Sequence, residues 1–328
     1  MSTYPVQPLP WQNMHWQRLG EQHRAGQLPH ALLMAGPPAV GKRHFARAFA
    51  HAMLCFSKRD GFACGECKAC QLLAVQSHPD LIWLAPEEAG KAVKIDQIRQ
   101  TVAAMAQTAQ QGGVKVVVIE PAEAMNRNAA NALLKTLEEP TRDTFLLLVS
   151  DAPGRLLPTL RSRCQRLEFP IPPLDATMTW LGLRGAGKAK AELAIAEAGG
   201  RPLLASELLD GEGLVLRREL GSEFAAALQK RTSAIQLAER WHQRPWLELV
   251  TWLQQRIALA IRLRMGDTAA ADDAIVELGR AEASALFGLL DQLNALAAQT
   301  HAGGNPNRQL ALETFLLGAC DAVNRRGA

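Results

Sequence analysis

The stretch Ala31-Leu32-Leu33-Met34-Ala35 is followed directly by Gly36-Pro37-Pro38-Ala39-Val40-Gly41-Lys42-Arg43. The first five residues are apolar and predict a buried strand, and residues 44–53 after the loop predict a helix. The loop fits G-x-x-x-x-G-K, and it lies in the strand–loop–helix context that a phosphate-binding loop requires. Backbone N–H groups and the helix N-terminus attract phosphate there, and Lys42 can reach the outer phosphates. The sequence therefore predicts an α/β domain with a nucleotide-binding loop bounded by Gly36 and Gly41.

The residue after Lys42 departs from the pattern, because Arg43 stands where Ser or Thr is expected. That hydroxyl normally ligates the Mg²⁺ that neutralises charge during phosphoryl transfer. A guanidinium cannot ligate a cation. The loop is therefore expected to be degenerate, with ATP or ADP binding possible but without hydrolysis.

A second element of the same kind is Val116-Val117-Val118-Ile119-Glu120, which has the pattern of a Walker B strand. Glu120 can hold Mg²⁺ through water. The next position normally carries the acid that polarises the attacking water, and here it is Pro121. No general base is expected at that place, since proline has no carboxylate.

Short apolar segments alternate with helical patterns through the first half of the chain. Further strands are expected at Leu81–Leu84, Val114–Glu120, Phe145–Ser150 and Gln165–Phe169, and helices at Lys42–Met53, Ile95–Gln107, Asn128–Leu137 and near Leu156–Leu160. This alternation predicts a parallel sheet covered on both faces, with the loop at the carboxyl end of the first strand.

Two linker-like segments divide the chain into three predicted domains. They are Pro170-Ile171-Pro172-Pro173 and Asp210-Gly211-Glu212-Gly213. Residues 1–170 form the predicted α/β domain, residues 171–209 a small helical lid domain and residues 210–328 an all-α domain.

Four of the six cysteines, Cys55, Cys64, Cys67 and Cys70, are clustered with the spacing C-x8-C-x2-C-x2-C. Four thiolates at such spacing are typical of closed structural Zn²⁺ sites. Residues 55–70 are therefore expected to form a zinc module of the α/β domain. An iron–sulfur cluster also uses C-x2-C-x2-C, although its fourth cysteine usually lies downstream and precedes proline. Four reduced core cysteines are the other alternative.

Composition limits the remaining possibilities. The 328 residues carry 36 Lys+Arg against 32 Asp+Glu, a net charge of +4. A dominant nucleic-acid-binding surface usually shows more imbalance, so a zinc-knuckle DNA-binding protein fits poorly. Residues 1–19 lack the apolar core of a signal peptide, and there is no apolar run of 18 residues. A cytoplasmic protein without a membrane partner is expected.

Two further segments, Asn131–Pro140 and Ser162-Arg163-Cys164, complete a recognisable set with the loop and the Walker B strand. Together they resemble the AAA+ clamp-loader family of bacterial DNA polymerase III, over essentially the whole chain. The resemblance implies a RecA-like parallel sheet with a zinc insert, a helical lid and a C-terminal collar through which subunits assemble. It also implies that Arg163 is an arginine finger, which acts on ATP bound by a neighbouring subunit.

The same resemblance implies the chain's role. Ser150 stands at the first sensor position, and Leu203, close to Arg201, stands where a second sensor arginine is expected. With Arg43 and Pro121 this favours a noncatalytic subunit, while the alternative is an active gamma/tau-like ATPase. The implied partners are the gamma/tau ATPase and delta subunits, with the sliding clamp and primed DNA met through the assembled complex.

Overall fold

The computed structural model describes residues 5–88, 90–266, 272–301 and 304–324. The chain forms two compact units, residues 1–206 and residues 207–328. A single helix, Pro202–Asp210, runs through the predicted lid boundary at residue 209. The division into three domains stays a prediction.

Five parallel strands form the sheet of the first unit, in the order β2-β3-β4-β1-β5. Their bounds are β1 Ala31–Ala35, β2 Leu81–Leu84, β3 Lys115–Ile119, β4 Thr144–Ser150 and β5 Gln165–Glu168. All five predicted strands are present, with ends that differ by one residue at most. The sheet confirms the predicted α/β class.

Strand β1 lies in the interior of the sheet, because it pairs with β4 on one side and with β5 on the other. Its side chains are buried on both faces of the sheet. Leu32 and Met34 belong to one apolar core, which includes the helix after the loop. Ala31 and Leu33 belong to a second core on the opposite face. The continuous apolar run, rather than an alternating one, reflects this two-sided burial.

The structure describes nine helices that begin in the first unit, and the last of them ends beyond residue 206. They are α1 Asn13–Arg24, α2 Lys42–Leu54, α3 Lys68–Ala74, α4 Ile95–Met105, α5 Arg127–Glu138, α6 Pro158–Arg161, α7 Leu174–Leu183, α8 Lys188–Glu197 and α9 Pro202–Asp210. Helices α2, α4 and α5 match the predicted segments closely. Helices α1 and α3 were not predicted from the sequence.

The second unit is helical, as the sequence predicts. Its described helices are α10 Gly213–Leu228, α11 Ala234–Trp241, α12 Trp246–Arg264, α13 Asp273–Leu278, α14 Ala283–His301 and α15 Arg308–Asn324. Aromatic side chains fill its core, with Phe224 packed against Trp241, Trp252 and Phe315. Among the described residues, every helix is too short or too polar to cross a bilayer.

The interior position of β1 predicts a large effect of truncation. Leu33→Ala should lower the free energy of unfolding by about 2–5 kcal/mol, because Leu33 is 0% exposed and the change leaves a cavity. Urea unfolding, with hydrogen exchange to locate the loosened segments, measures the effect.

The matched control is Leu183→Ala on α7, where the side chain is 82% exposed. It should change stability by less than about 0.5 kcal/mol. Equal losses for the two variants would contradict the placement of β1.

Candidate functional site

The phosphate-binding loop connects the end of β1 to the start of α2, and its two glycines are required by the backbone. Gly36 has φ +155°, and a Cβ there would lie 2.1 Å from the carbonyl oxygen of Phe169. Gly41 has φ +94°, and a Cβ there would lie 2.5 Å from Leu9 Cδ1. Any side chain at either position would displace neighbouring atoms, so the loop conformation depends on both glycines.

Residues far away in sequence hold the loop from outside. The Trp11 indole Nε1 and the Gln12 amide Nε2 both donate to the carbonyl oxygen of Val40, at 2.9 and 3.3 Å. The backbone N–H of Leu203 donates to the carbonyl of Ala39 at 3.1 Å. Leu203, the predicted second-sensor position, therefore lies directly against the loop. The sequence carries no signal for the contacts of Trp11 and Gln12.

Lys42, the loop lysine, is buried and engaged by groups of this chain. Its side chain is 3% exposed, and Nζ lies 2.5 Å from a carboxylate oxygen of Asp151. The same Nζ donates to the carbonyl oxygens of Gly36 and Pro37, at 2.7 and 2.5 Å. An incoming phosphate must therefore compete with Asp151 for this ammonium group.

The turn that carries Asp151 is fixed by an acid near the Walker B strand. Glu123 Oε1 accepts hydrogen bonds from the backbone N–H groups of Asp151 and Ala152, at 2.9 and 3.1 Å. In the structure that carboxylate supports the turn beside Lys42.

Arg43 and Glu120, the two positions associated with Mg²⁺ in an ATPase, form an ion pair. Arg43 Nε lies 3.3 Å from Glu120 Oε2. Burial raises the pKa of the Glu120 carboxyl, and the Arg43 guanidinium opposes that shift. Arg43 and Arg47 also lie over the Trp83 ring, at 5.9 and 5.5 Å from its centroid. A fixed cation of the protein thus stands beside the Walker B acid.

The other two sensor-related residues are buried. Ser150 ends β4 and is 0% exposed. The Arg201 guanidinium Nε donates to the carbonyl oxygen of Ala198, in its own turn, at 2.7 Å. Arg201 is therefore engaged near the start of α9.

The four clustered cysteines lie together, with their sulfur atoms all within 4.8 Å of one another. Cys55 directly follows α2, and Cys70 lies on α3. The Sγ–Sγ distances are 3.9 Å for Cys55–Cys67 and 3.8 Å for Cys64–Cys70. A tetrahedral zinc with Zn–S bonds of about 2.3 Å separates its sulfurs by roughly 3.8 Å, so this geometry fits such an ion.

Backbone amides favour the thiolate form in this cluster. The N–H groups of Glu66 and Cys67 point at the Cys64 sulfur, at 3.4 and 3.3 Å, and lower the pKa of that thiol to about 6. The N–H of Cys64 points at the Cys55 sulfur at 3.3 Å. These four residues can hold a metal ion such as zinc in a closed site, where it would stabilise the module without binding substrate.

Arg163 lies in the turn after α6. Its backbone is anchored by buried neighbours, Leu160 and Cys164. Burial raises the pKa of the Cys164 thiol to about 12, so that cysteine serves packing rather than thiolate chemistry. The Arg163 side chain remains 34% exposed, and its partners are Glu138 and the carbonyl of Thr159.

The five-stranded parallel sheet, the glycine loop after β1 and the acid that follows β3 define a P-loop α/β fold, the class that the resemblance to AAA+ proteins implies. Comparisons with known proteins identify the family. Residues 11–173 match the family described as "DNA polymerase III, delta subunit", and residues 212–319 match "DNA polymerase III, delta subunit, C terminal".

Two delta' subunits of known sequence identify the family of this chain. The chain is 46% identical to the DNA polymerase III subunit delta' of Pseudomonas aeruginosa over 246 residues, 74% of each chain. It is 34% identical to the delta' subunit of Yersinia pestis over 265 residues, 78% of this chain and 77% of that protein. A solved gamma subunit-related protein of Thermotoga maritima aligns with a TM-score of 0.41 and 18% identity, over 94% of this chain and 99% of that one. The chain belongs to the delta-prime family of DNA polymerase III subunits.

The thiolate geometry predicts about one zinc per chain by metal analysis of reduced protein. Cys67→Ala should release the metal and destabilise the first unit, because three sulfurs cannot close the tetrahedron.

The matched control is Cys320→Ala, at a cysteine outside the cluster, which should retain the metal. Iron in place of zinc, or full metal content in Cys67→Ala, would contradict the assignment.

Proposed function

We propose that this chain is a noncatalytic subunit of the DNA polymerase III clamp loader, which helps place the sliding clamp on primed DNA. Its partners are the gamma/tau ATPase and delta subunits, and it meets the clamp and DNA through the assembled complex. It acts as a rigid scaffold and donates Arg163 to the ATP site of a neighbouring subunit. Family membership supports the complex, and the Arg43–Glu120 ion pair is the observation that carries the noncatalytic role.

The ion pair opposes metal-dependent hydrolysis in two ways. The Arg43 guanidinium, 3.3 Å from Glu120, satisfies the carboxylate that would otherwise hold Mg²⁺ through water. Its positive charge also repels a divalent cation at short range. Without Mg²⁺, the charge that develops on the transferring phosphoryl group lacks its main stabiliser.

Water activation is weak for a separate reason. Pro121 has no carboxylate, and Glu123 is committed to the backbone N–H groups of Asp151 and Ala152. A general base must reach the attacking water within hydrogen-bond distance. Neither residue supplies one at the Walker B position.

Nucleotide binding without turnover is compatible with this arrangement. The loop amides and Lys42 supply affinity for phosphate. Phosphate must displace the Asp151 carboxylate, which lies 2.5 Å from Lys42 Nζ. Any bound ATP or ADP would then be structural, and the noncatalytic role does not require it.

Arg163 has the properties that action on a neighbour requires. Its guanidinium is permanently charged and planar, and its side chain is partly exposed. Such a group stabilises the γ-phosphate charge when it is supplied from an adjacent subunit. The helices of residues 210–328 would supply this chain's share of the collar that keeps the subunits together.

The retained Lys42 favours the alternative, an active gamma/tau-like ATPase, and turnover assays separate the two functions. The isolated chain should show negligible ATP hydrolysis, because Arg43 and Pro121 remove the metal ligand and the water-activating acid. Lys42→Ala should leave clamp loading by the assembled complex nearly unchanged.

Ordinary ATPase rates from the isolated chain would favour the alternative. A large loss of loading in Lys42→Ala, with assembly intact, would show that this nucleotide site matters.

Arg163→Ala should leave the chain folded and assembled but impair ATP-driven clamp loading. Arginine fingers contribute roughly 10³–10⁵ in rate at the site that they complete. Total ATPase should fall less than coordinated loading, since only the site that borders this chain loses its finger. Arg163→Lys should rescue poorly, because a point charge lacks the bidentate fork.

The matched control is Arg155→Ala, which removes the same charge from an exposed arginine outside the proposed site. Normal clamp loading by the Arg163→Ala complex would contradict the finger role, and Arg163 would then be an ordinary surface arginine.

A further inference from the structure

The guanidinium of Arg163 is held along one edge by a single carboxylate oxygen. Arg163 Nε and Nη2 both donate to Glu138 Oε1, at 2.9 and 2.5 Å. The terminal nitrogen Nη1 donates to the carbonyl oxygen of Thr159 at 2.8 Å. Three hydrogen bonds therefore fix the plane of the guanidinium.

This pair contributes little to folding stability. Glu138 is 52% exposed and Arg163 is 34% exposed, and exposed ion pairs are screened by water and salt. The more important effect is conformational. An unrestrained arginine has many rotamers, and all but one must be given up when it binds a phosphate.

The hydrogen bonds of Arg163 to Glu138 and Thr159 leave part of the donor capacity of its guanidinium for an anion. A guanidinium has five N–H groups. The bonds to Glu138 and Thr159 use one each on Nε, Nη1 and Nη2. One N–H on each terminal nitrogen is left for a phosphate, and the partial exposure of the side chain gives access to it.

Both anchors of Arg163 are attached to well-packed structure. Glu138 is the last residue of α5. Leu133 and Leu137 of that helix are buried in the second core of the sheet, the one that contains Leu33. Thr159 lies in α6, beside the buried Leu160. The carboxylate and the carbonyl are therefore carried by helices whose neighbouring leucines are packed in the core.

We propose that Glu138 is a positioning residue for Arg163: it holds the guanidinium in the orientation in which its two outer N–H groups meet the γ-phosphate on the neighbouring subunit. This inference rests on the proposed finger role of Arg163. Pre-ordering places the donors before the phosphate arrives, so less conformational freedom is lost in the transition state. A carboxylate that merely sequestered Arg163 would have the opposite effect, because its removal would release the finger and speed the reaction.

The experiment uses the assembled clamp loader with Glu138→Ala, Glu138→Gln, Arg163→Ala and the double variant Glu138→Ala/Arg163→Ala. DNA- and clamp-stimulated ATP turnover and the clamp-loading rate are measured, and gel filtration checks assembly. Glu139→Ala is the control, because it removes the same charge from the adjacent, exposed carboxylate. A double-mutant cycle isolates the coupling between the two side chains.

Glu138→Ala should slow clamp loading about 3- to 10-fold with normal assembly, as expected for loss of a supporting contact. Glu138→Gln should lose less, because its amide oxygen still accepts a hydrogen bond. In the Arg163→Ala background, Glu138→Ala should cause no further loss, and Glu139→Ala should load normally.

Normal or faster loading by Glu138→Ala, alongside a slow Arg163→Ala complex, would overturn the positioning role and leave the finger role standing. An additive loss in the double variant would overturn it as well. Normal loading by Arg163→Ala would overturn the finger role and, with it, this inference.

Discussion

The pairing of β1 between β4 and β5 is the constraint on which the rest of the first unit depends. It sets Ala35 beside Ser150 on one side and beside Glu168 on the other. The loop after β1 therefore meets Asp151, which follows β4, and Phe169, which follows β5. The close approach of Gly36 to Phe169 leaves no room for a side chain. A parallel sheet thus brings together residues that are more than a hundred positions apart in the sequence.

Within that frame, protein groups engage the parts of the loop that serve nucleotide chemistry in an ATPase. Lys42 is paired with Asp151, and Arg43 is paired with Glu120. Both pairs join residues of opposite charge at a strand end, where ligands of α/β sheets are normally bound. Arg163 differs, because its anchoring leaves two N–H groups for another molecule. Two ion pairs of this chain therefore lie at its own loop, whereas the Arg163–Glu138 pair joins the turn after α6 to the end of α5.

Residue pattern was enough to predict the sheet, the loop and the cysteine cluster. Apolar runs such as Ala31–Ala35 indicate buried strands directly, and C-x2-C spacing constrains sulfur positions locally. Helix α1 was missed because it is largely polar, with only Trp16 and Leu19 buried. The pairs Lys42–Asp151 and Arg163–Glu138 could not be predicted, since they depend on which strand and helix ends the tertiary fold brings together. The roles of Arg163, Arg43 and Pro121 remain predictions, based on a family resemblance and on the chemistry of the residues.

The most direct test of a noncatalytic subunit that acts on its neighbour is a structure of the assembled complex with ATP and Mg²⁺ in a transition-state-like form. The account predicts an Arg163 guanidinium nitrogen within about 3 Å of a γ-phosphate oxygen on the adjacent subunit, the range of a charge-assisted hydrogen bond. It also predicts that the Arg43–Glu120 pair persists in this chain. A Mg²⁺ ion held by Glu120 beside a hydrolysis-ready ATP in this chain's own loop, with Arg163 far from any phosphate, would contradict it.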